Sequence, residues 1–362
     1  MKILTIAGTR PELIRLSIII EKLDKLVDHI LVYTNQNYDY NLSGRFFDDM
    51  KIRKPNYYFN KQSISFVDFL SNAILEFDVI LNNEKPDKIL ILGDTNSGLL
   101  SIVAERYKIP IYHMEAGNRC YDNRLPEEAN RKIIDSLSKY NLPYTENSKQ
   151  NLLSEGYHKN FVFKTGNPIY EVLSKFEKQI DDSIMLYEWD LQDIKTNNIK
   201  DYVLVTAHRT ENVDNQEILT NIVKAINSIA ENYKVVFSLH PRTRNKIEKF
   251  NISFNKNIII SQPLGFFDFV KLEKNAKCVI SDSGTVQEEC CIFGVPSLTI
   301  RESTERQETI ECGSNILCGT KTENILNAFN SNINRKNSWN VPLDYLDDNV
   351  SDIIINLLIG KS

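Results

Sequence analysis

The chain has 362 residues, 42% hydrophobic and 25% charged, with a formal net charge of −5. This is the composition of a soluble globular protein with no case for a nucleic-acid partner, and no apolar run approaches the length that spans a bilayer. The length exceeds one ordinary core, so two domains are expected.

The opening Met1-Lys-Ile-Leu-Thr-Ile-Ala-Gly8 is too brief for a signal peptide and reads as a strand entering a turn, which makes a cytoplasmic location the expectation. Lys2–Ala7 shows no alternation, as befits a parallel strand covered on both faces. Gly8-Thr-Arg-Pro-Glu12 follows, and Leu13, Ile14, Ile18, Ile19 and Leu23 then recur at helical spacing. Such a turn offers backbone N–H groups to an anion, with Arg10 and Arg15 adding charge. An ordinary strand–helix turn is the alternative.

The pattern repeats. Residues 29–34 read as a strand, 67–81 as a helix, and Lys88–Leu92 as a strand ending in Gly93-Asp-Thr-Asn-Ser97. A helix over 98–107 and a strand over 109–114 come next. The loop that leaves this strand carries Glu115, Arg119, Asp122, Arg124, Glu127, Glu128 and Arg131. Charges this dense after a buried strand are costly unless they meet each other or a ligand. A helix over 127–138 follows, then short strands at 142–144 and 161–164 around a helix at 149–155, capped by Ser148 and closed by Gly156.

Thr165-Gly-Asn-Pro168 and an irregular charged segment to Lys200 read as a crossover between domains. A second series has strands at Tyr202–Thr206, 235–239, Ile258–Ser261, Cys278–Ser281 and 297–300, with helices between them. Val350–Ile359 is an apolar helix expected to pack back on the first domain. Strands alternating with helices imply α/β architecture, here two Rossmann-like domains facing a cleft: 1–168, 169–345, and a returning helix within 346–362.

No GxGxxG follows a strand and no GxxxxGK[ST] occurs, which argues against NAD bound in the usual way and against a P-loop. The cysteines at 120, 278, 290, 291, 312 and 318 form no CxxC pair and no metal-ligand spacing with the histidines, so no metal and no cofactor are expected and the thiols read as reduced. Chemistry then rests on side chains beyond the carboxyl ends of the strands. The first half supplies Arg10, Asp94, Glu115 and the helix start at Glu127–Arg131. The second supplies His208, His240 and the run Ser281-Asp-Ser-Gly-Thr285, where hydroxyls and helix N–H groups converge as a diphosphate requires. Glu289 lies in reach of a ribose hydroxyl pair, and Phe266, Phe267 and Phe269 could stack on a base, although such aromatics are more often core.

Taken together, Gly8-Thr-Arg-Pro-Glu12, Gly93-Asp-Thr95, His113-Met-Glu-Ala-Gly117, Pro126-Glu-Glu-Ala-Asn-Arg131, Ala207-His-Arg209, His240-Pro241, Ser281-Asp-Ser-Gly284, Gln287-Glu-Glu289 and Thr304-Glu-Arg306 resemble the non-hydrolysing UDP-N-acetylglucosamine 2-epimerases. The resemblance spans both halves in order. It implies a GT-B type fold, a homodimer, and a reaction without metal or NAD on a UDP-activated 2-acetamido sugar, serving surface-polysaccharide precursor synthesis. The C2 proton is removed and UDP leaves to give a glycal; UDP then re-adds while C2 is reprotonated from the opposite face. Carried onto matching positions, Asp94, Glu115 and Glu127 are the acid/base candidates with His208 beside the diphosphate. Arg10, His240, Ser283, Gly284, Thr285 and Glu289 would hold UDP, and Arg306 the sugar or phosphate.

Two stretches depart from the common enzyme. Asn118-Arg-Cys-Tyr-Asp-Asn-Arg-Leu125 resembles the branch acting on UDP-N-acetylfucosamine or UDP-2,3-diacetamido-glucuronate and is expected to select the sugar. Asn37 stands where bacterial members carry a His in a regulatory substrate site. A GT-B glycosyltransferase, a hydrolysing epimerase and an inactive binding module are the alternatives. The three carboxylates together separate the epimerases from the first and the last.

Overall fold

Unbroken apolar runs decide the first sheet. Lys2–Ala7 (β1), Asp28–Tyr33 (β2), Lys88–Leu92 (β4) and Ile111–Met114 (β5) are buried almost throughout, which only a sheet covered on both faces provides. Short strands Tyr57–Tyr58 (β3) and Tyr140–Leu142 (β6) complete it. All neighbours pair in parallel in the order β3-β2-β1-β4-β5-β6. The covering helices are Arg10–Leu26 (α1), Phe66–Glu84 (α2), Ser101–Arg106 (α3), Pro126–Leu137 (α4), Glu146–Ser154 (α5) and Ile169–Lys175 (α6). Strand order reverses between β1 and β4, so the turns after these two strands open on the crevice where α/β sheets bind ligands.

The structure, a computed structural model, describes residues 1–35, 47, 49–59, 63–333 and 339–360; Asn37 lies outside them. Two compact units result, Met1–Leu173 with Leu343–Ser362, and Ser174–Pro342. The first unit thus runs past the expected break at 168, because Ile169, Val172 and Leu173 of α6 are buried. Val350–Ile359, α16 in chain order, belongs to the first unit. Lys22 of α1 bonds Ser351 Oγ at 2.7 Å, and Glu171 of α6 accepts from the Ser351 N–H at 2.9 Å. At its far end buried Lys88 donates to the carbonyls of Leu358 and Gly360 at 2.8 and 2.7 Å, supplying partners and charge at a helix C-terminus.

The second unit repeats the plan. Its elements are Glu177–Asp181 (α7), Met185–Glu188 (α8), Tyr202–Thr206 (β7), Thr210–Val213 (α9), Gln216–Ile229 (α10), Lys234–Ser238 (β8), Pro241–Lys249 (α11), Ile258–Ser261 (β9), Phe266–Asn275 (α12), Cys278–Ser281 (β10), Gly284–Phe293 (α13), Ser297–Thr299 (β11), Gln307–Glu311 (α14), Asn315–Leu317 (β12) and Thr322–Asn332 (α15). The parallel sheet runs β12-β11-β10-β7-β8-β9, and its reversal falls between β7 and β10. Both units are therefore Rossmann-like.

Several local expectations change. The 98–107 helix begins as a 3-10 turn, Asn96–Leu100, before α3. Residues 161–164 form no strand: Val162 makes one isolated bridge to Asn141 after the 3-10 turn Lys159–Phe161. Helix α5 starts earlier because Thr145, not Ser148, is its cap, accepting from the Ser148 N–H at 3.2 Å. The segment expected to be irregular up to Lys200 contains α7 and α8, which bury Ile180 and Leu186.

Gly8 is required by space. A Cβ there would lie 1.9 Å from Ser97 Oγ and 2.7 Å from Thr34 Oγ1, and these two hydroxyls bond each other at 2.6 Å. Gly8→Ala is therefore expected to destabilise the first unit by about 1–3 kcal/mol, the usual range for overpacking, read from urea denaturation.

Candidate active site

At the end of β1 the chain uses its own acid. The Glu12 carboxyl accepts from the N–H groups of Gly8 at 2.5 Å and Thr9 at 3.2 Å. These two N–H groups precede α1, and Glu12 with Thr9 forms a capping box at the start of the helix. Burial pushes Glu12 up to about 7 against the pull of those N–H bonds, and the negative charge of Asp94 adds to the rise. Arg10, the first residue of α1, is half-buried. Arg15 is 4% exposed and donates through Nη1 to Glu115 at 2.8 Å. One arm of the guanidinium thus meets a carboxylate of the protein itself.

Glu115 is the first residue after β5 and sits at φ +66°, a left-handed conformation that costs a non-glycine residue of the order of 1 kcal/mol or more. Its carboxylate accepts from Arg15 on one oxygen and from Asn118 Nδ2 at 3.1 Å on the other. Asn118 in turn accepts from the Ser148 hydroxyl at 2.7 Å. A buried charge is tolerated when paired and hydrogen-bonded in this way.

The remaining charges of the loop largely meet each other. Buried Asp135 of α4 accepts from His113 Nδ1 at 2.8 Å, from Arg119 Nη2 at 2.7 Å and from the Gly117 N–H at 3.2 Å. Burial pushes its carboxyl up, but His113 and Arg119 outweigh this and hold it below the usual range. Arg119, 1% exposed, also clasps Glu155 at 2.7 and 2.6 Å and the Asn118 carbonyl at 2.8 Å. His113 Nε2 lies 2.9 Å from the Gly93 carbonyl, so both ring nitrogens face acceptors and the ring ties the turn after β4 to the one after β5. Asp94 follows Gly93 and pairs with Arg131 of α4 at 2.7 Å, while Arg131 also holds buried Glu128 at 2.8 Å. Glu127, in the first turn of α4, is half-buried. Asp94, Glu115 and Glu127 therefore belong to the loops and helix start around the β1/β4 reversal.

In the second unit one buried acid organises the reversal. Asp282, after β10, is fully buried and accepts from the N–H groups of His208 and Arg209, both at 2.9 Å, and from Asn212 Nδ2 at 3.1 Å. His208 Nδ1 lies 3.3 Å from the same carboxyl. The His240 ring, with its centroid 5.9 Å from that of His208, caps α11 by accepting the Arg242 N–H on Nδ1 at 3.2 Å, which leaves Nε2 as its donor. Ser283 caps α13, and Gly284 and Thr285 begin it. A Cβ on Gly284 would meet Glu305 Oε1 at 3.0 Å and Arg306 Cζ at 3.7 Å, so the 304–306 segment lies over this helix start. Arg306 pairs with buried Glu288 at 2.5 Å.

Phe269 and Glu289 both have partners within the second unit. Phe269 packs against the cluster of Leu272, Val279 and Val286. Glu289 is 3% exposed and meets Glu273 of α12, which no sequence signal singled out. Burial and the facing Glu289 carboxylate push Glu273 well above the usual range, and Cys290 Sγ donates to its Oε1 at 3.3 Å. A protonated Glu273 donating to Glu289 satisfies both carboxyls in this apolar surrounding. Glu12, Asn118 and Asp282 stand in stretches the sequence reading quoted, but it gave none of them a role of its own.

The Glu12 shift fixes the sign of a pH effect. Its folded pKa, about 7, stands above the ordinary 4.5, so the folded state binds the proton more tightly and stability falls as pH rises from about 4.5 to about 7. Glu12→Gln is expected to remove that part of the slope, roughly 3 kcal/mol at 1.4 kcal/mol per pKa unit. Parallel urea curves of both proteins across this range check it; identical slopes would contradict it.

The sequence matches the family model described as UDP-N-acetylglucosamine 2-epimerase over residues 21–359. The UDP-N-acetylglucosamine 2-epimerase of Methanocaldococcus jannaschii is 40% identical over 354 residues, 94% of this chain and 95% of the relative. The UDP-2,3-diacetamido-2,3-dideoxy-D-glucuronate 2-epimerase of Pseudomonas aeruginosa is 33% identical, covering 92% and 93%. The crystal structure of the M. jannaschii enzyme in complex with UDP-GlcNAc and UDP superposes with a TM-score of 0.92, at 38% identity and 99% coverage of both chains. With the resemblance in motif, fold and length, the chain belongs to the UDP-N-acetylglucosamine 2-epimerase family.

Proposed function

We propose that the protein inverts C2 of a UDP-activated 2-acetamido sugar by eliminating UDP to a glycal and adding it back. One observation carries this reading: Glu115, held in a left-handed conformation after a buried strand, has its carboxylate fixed by Arg15 and Asn118. Unfavourable backbone geometry maintained by buried partners is characteristic of working sites. Arg15 and Asn118 between them fix the direction in which the Glu115 carboxylate is presented.

The C2–H of a sugar is a weak acid, so its removal must be accompanied by departure of a stabilised anion. In the second unit His208, His240, Ser283, Gly284 and Thr285 supply imidazole, hydroxyl and helix N–H groups suited to charge developing on a diphosphate, and Arg306 adds a cation. Arg10 would hold phosphate, Glu289 the ribose and Phe269 the base. Inversion needs proton exchange on both faces of C2, hence Asp94 and Glu127 beside Glu115. Asn118 and Arg119 are anchors, so sugar choice falls to the more exposed part of the same loop, Tyr121, Asp122 and Arg124.

A hydrolysing outcome would release UDP and free sugar; the relatives that match over nearly the whole chain carry epimerase names without that product. The family resemblance implies a homodimer, and α2 supports it by exposing Phe66, Val67, Leu75 and Val79. Light scattering should give twice the monomer mass, and Val67→Asp with Leu75→Asp should return monomers. A monomeric wild type at micromolar concentration would contradict it.

Turnover is tested with UDP-N-acetylglucosamine in D2O. Deuterium should enter C2 with UDP still attached. Glu115→Gln and Asp94→Asn should each lower this exchange by about 100-fold or more while calorimetry shows UDP still bound. Near-full exchange in either variant would remove that carboxylate from the mechanism.

A further inference from the structure

Helix α13 presents one continuous stripe to the segment that follows β11. Gly284 lies under Glu305, and Gln287 Oε1 accepts from Thr304 Oγ1 at 2.7 Å and from Asn315 Nδ2 at 3.0 Å. Glu288 pairs with Arg306 at 2.5 Å. Cys291 closes the stripe: its Sγ lies 3.7 Å from Sγ of Cys312, the residue that caps the C-terminus of α14. Positions 284, 287, 288 and 291 share one helix face, so the thiol pair is the last contact of a clasp that begins at the start of α13.

The two sulfurs differ in character. Cys291 is fully buried, whereas Cys312 is half-buried. The neighbouring Cys291 thiol, aided by the Ser314 hydroxyl, outweighs burial and pulls Cys312 down to about 6, while Cys291 is pushed up. Cys312, the more exposed sulfur, is thus placed to attack, and Cys291, buried 3.7 Å behind it, to resolve. The other half-buried thiol, Cys120, is pushed up by burial and lies 3.3 Å from the Glu128 carboxylate, which disfavours a second anion. Cys278, Cys290 and Cys318 are buried and pushed up.

We propose that Cys291 and Cys312 form a redox-modification site at which a hydroperoxide generates an intramolecular disulfide, fastening α14 to α13. The Cys312 thiolate attacks the peroxide O–O bond and becomes a sulfenic acid, with the other oxygen leaving as an alcohol or as water after taking a proton. The Cys291 sulfur then displaces the hydroxyl, losing its own proton, and water departs. The balance is two thiols and one hydroperoxide giving one disulfide, one alcohol or water, and one further water. A disulfide requires about 2.05 Å between sulfurs, so closure draws them together by roughly 1.7 Å, a movement the end of a five-residue helix can supply. Nothing in this step depends on the sugar chemistry, so its failure and failure of the epimerase reading are separate results.

The full-length protein is treated with one equivalent of hydrogen peroxide, alkylated, digested and mapped by mass spectrometry. The expected result is a linked 291–312 peptide, loss of two alkylatable thiols, reversal by dithiothreitol, and a rise of a few degrees in the thermal midpoint. Cys290→Ser should retain the link. Cys291→Ser should lose it and accumulate a dimedone-reactive sulfenic acid at Cys312, and Cys312→Ser should leave Cys291 unoxidised. Circular dichroism confirms that each variant is folded. Oxidation that begins at Cys120, or that carries Cys312 of the wild type to sulfinic acid without a link, would overturn the proposal.

Discussion

The buried ion pair between Arg15 and Glu115 is the constraint on which the proposed chemistry of the first unit depends. A carboxylate placed directly after a buried strand would lose its charge, or the fold, without a cation within reach. Arg15 comes from the first turns of α1, 100 positions earlier, so the pair also fixes how α1 sits over the turn after β5. Asn118 and Ser148 extend the arrangement into the loop and α5. Asp135 of α4, with His113 and Arg119, does the same structural work, and Glu115 is the acid whose geometry is held at a conformational cost.

The second unit solves a different problem with a similar device. Asp282 is buried and holds two backbone N–H groups and an amide, so the loop bearing His208 has a set shape before any ligand arrives. A loop whose shape is set in advance suits the proposed diphosphate site, because it need not reorganise during the reaction. Glu273 is the counterpart on α12: burial and the facing Glu289 push its carboxyl well above the usual range.

Both sheets, their covering helices and the principal motifs were legible because apolar runs without alternation and Gly turns at strand ends report local physics. Glu115 and Asp94 stood out by place, directly after strands. The partners did not. Spacing cannot show that Arg15 turns inward to Glu115 whereas Arg10 does not share that burial, a tertiary fact set by which side chain loses its water. Glu12 closing back on Thr9 is the capping box that Thr9-Arg-Pro-Glu12 spells, a local signal that went unread. The cap of α5 was misread for a related reason: Thr145 and Ser148 are both good caps, and only the pull of Asn118 on the Ser148 hydroxyl separates them. Strands β3 and β12 were missed because two or three residues, only partly buried, carry too little pattern.

Cleavage of the sugar–oxygen bond, with UDP retained and returned, is the central claim. Positional isotope exchange tests it most directly. UDP-N-acetylglucosamine labelled with oxygen-18 in the bridge between C1 and the β-phosphorus is incubated with the protein, and the recovered nucleotide sugar is read by phosphorus NMR. The account predicts that the label scrambles into the non-bridging β-phosphate oxygens as C2 inverts. Inversion at C2 with the label wholly retained in the bridge would contradict it.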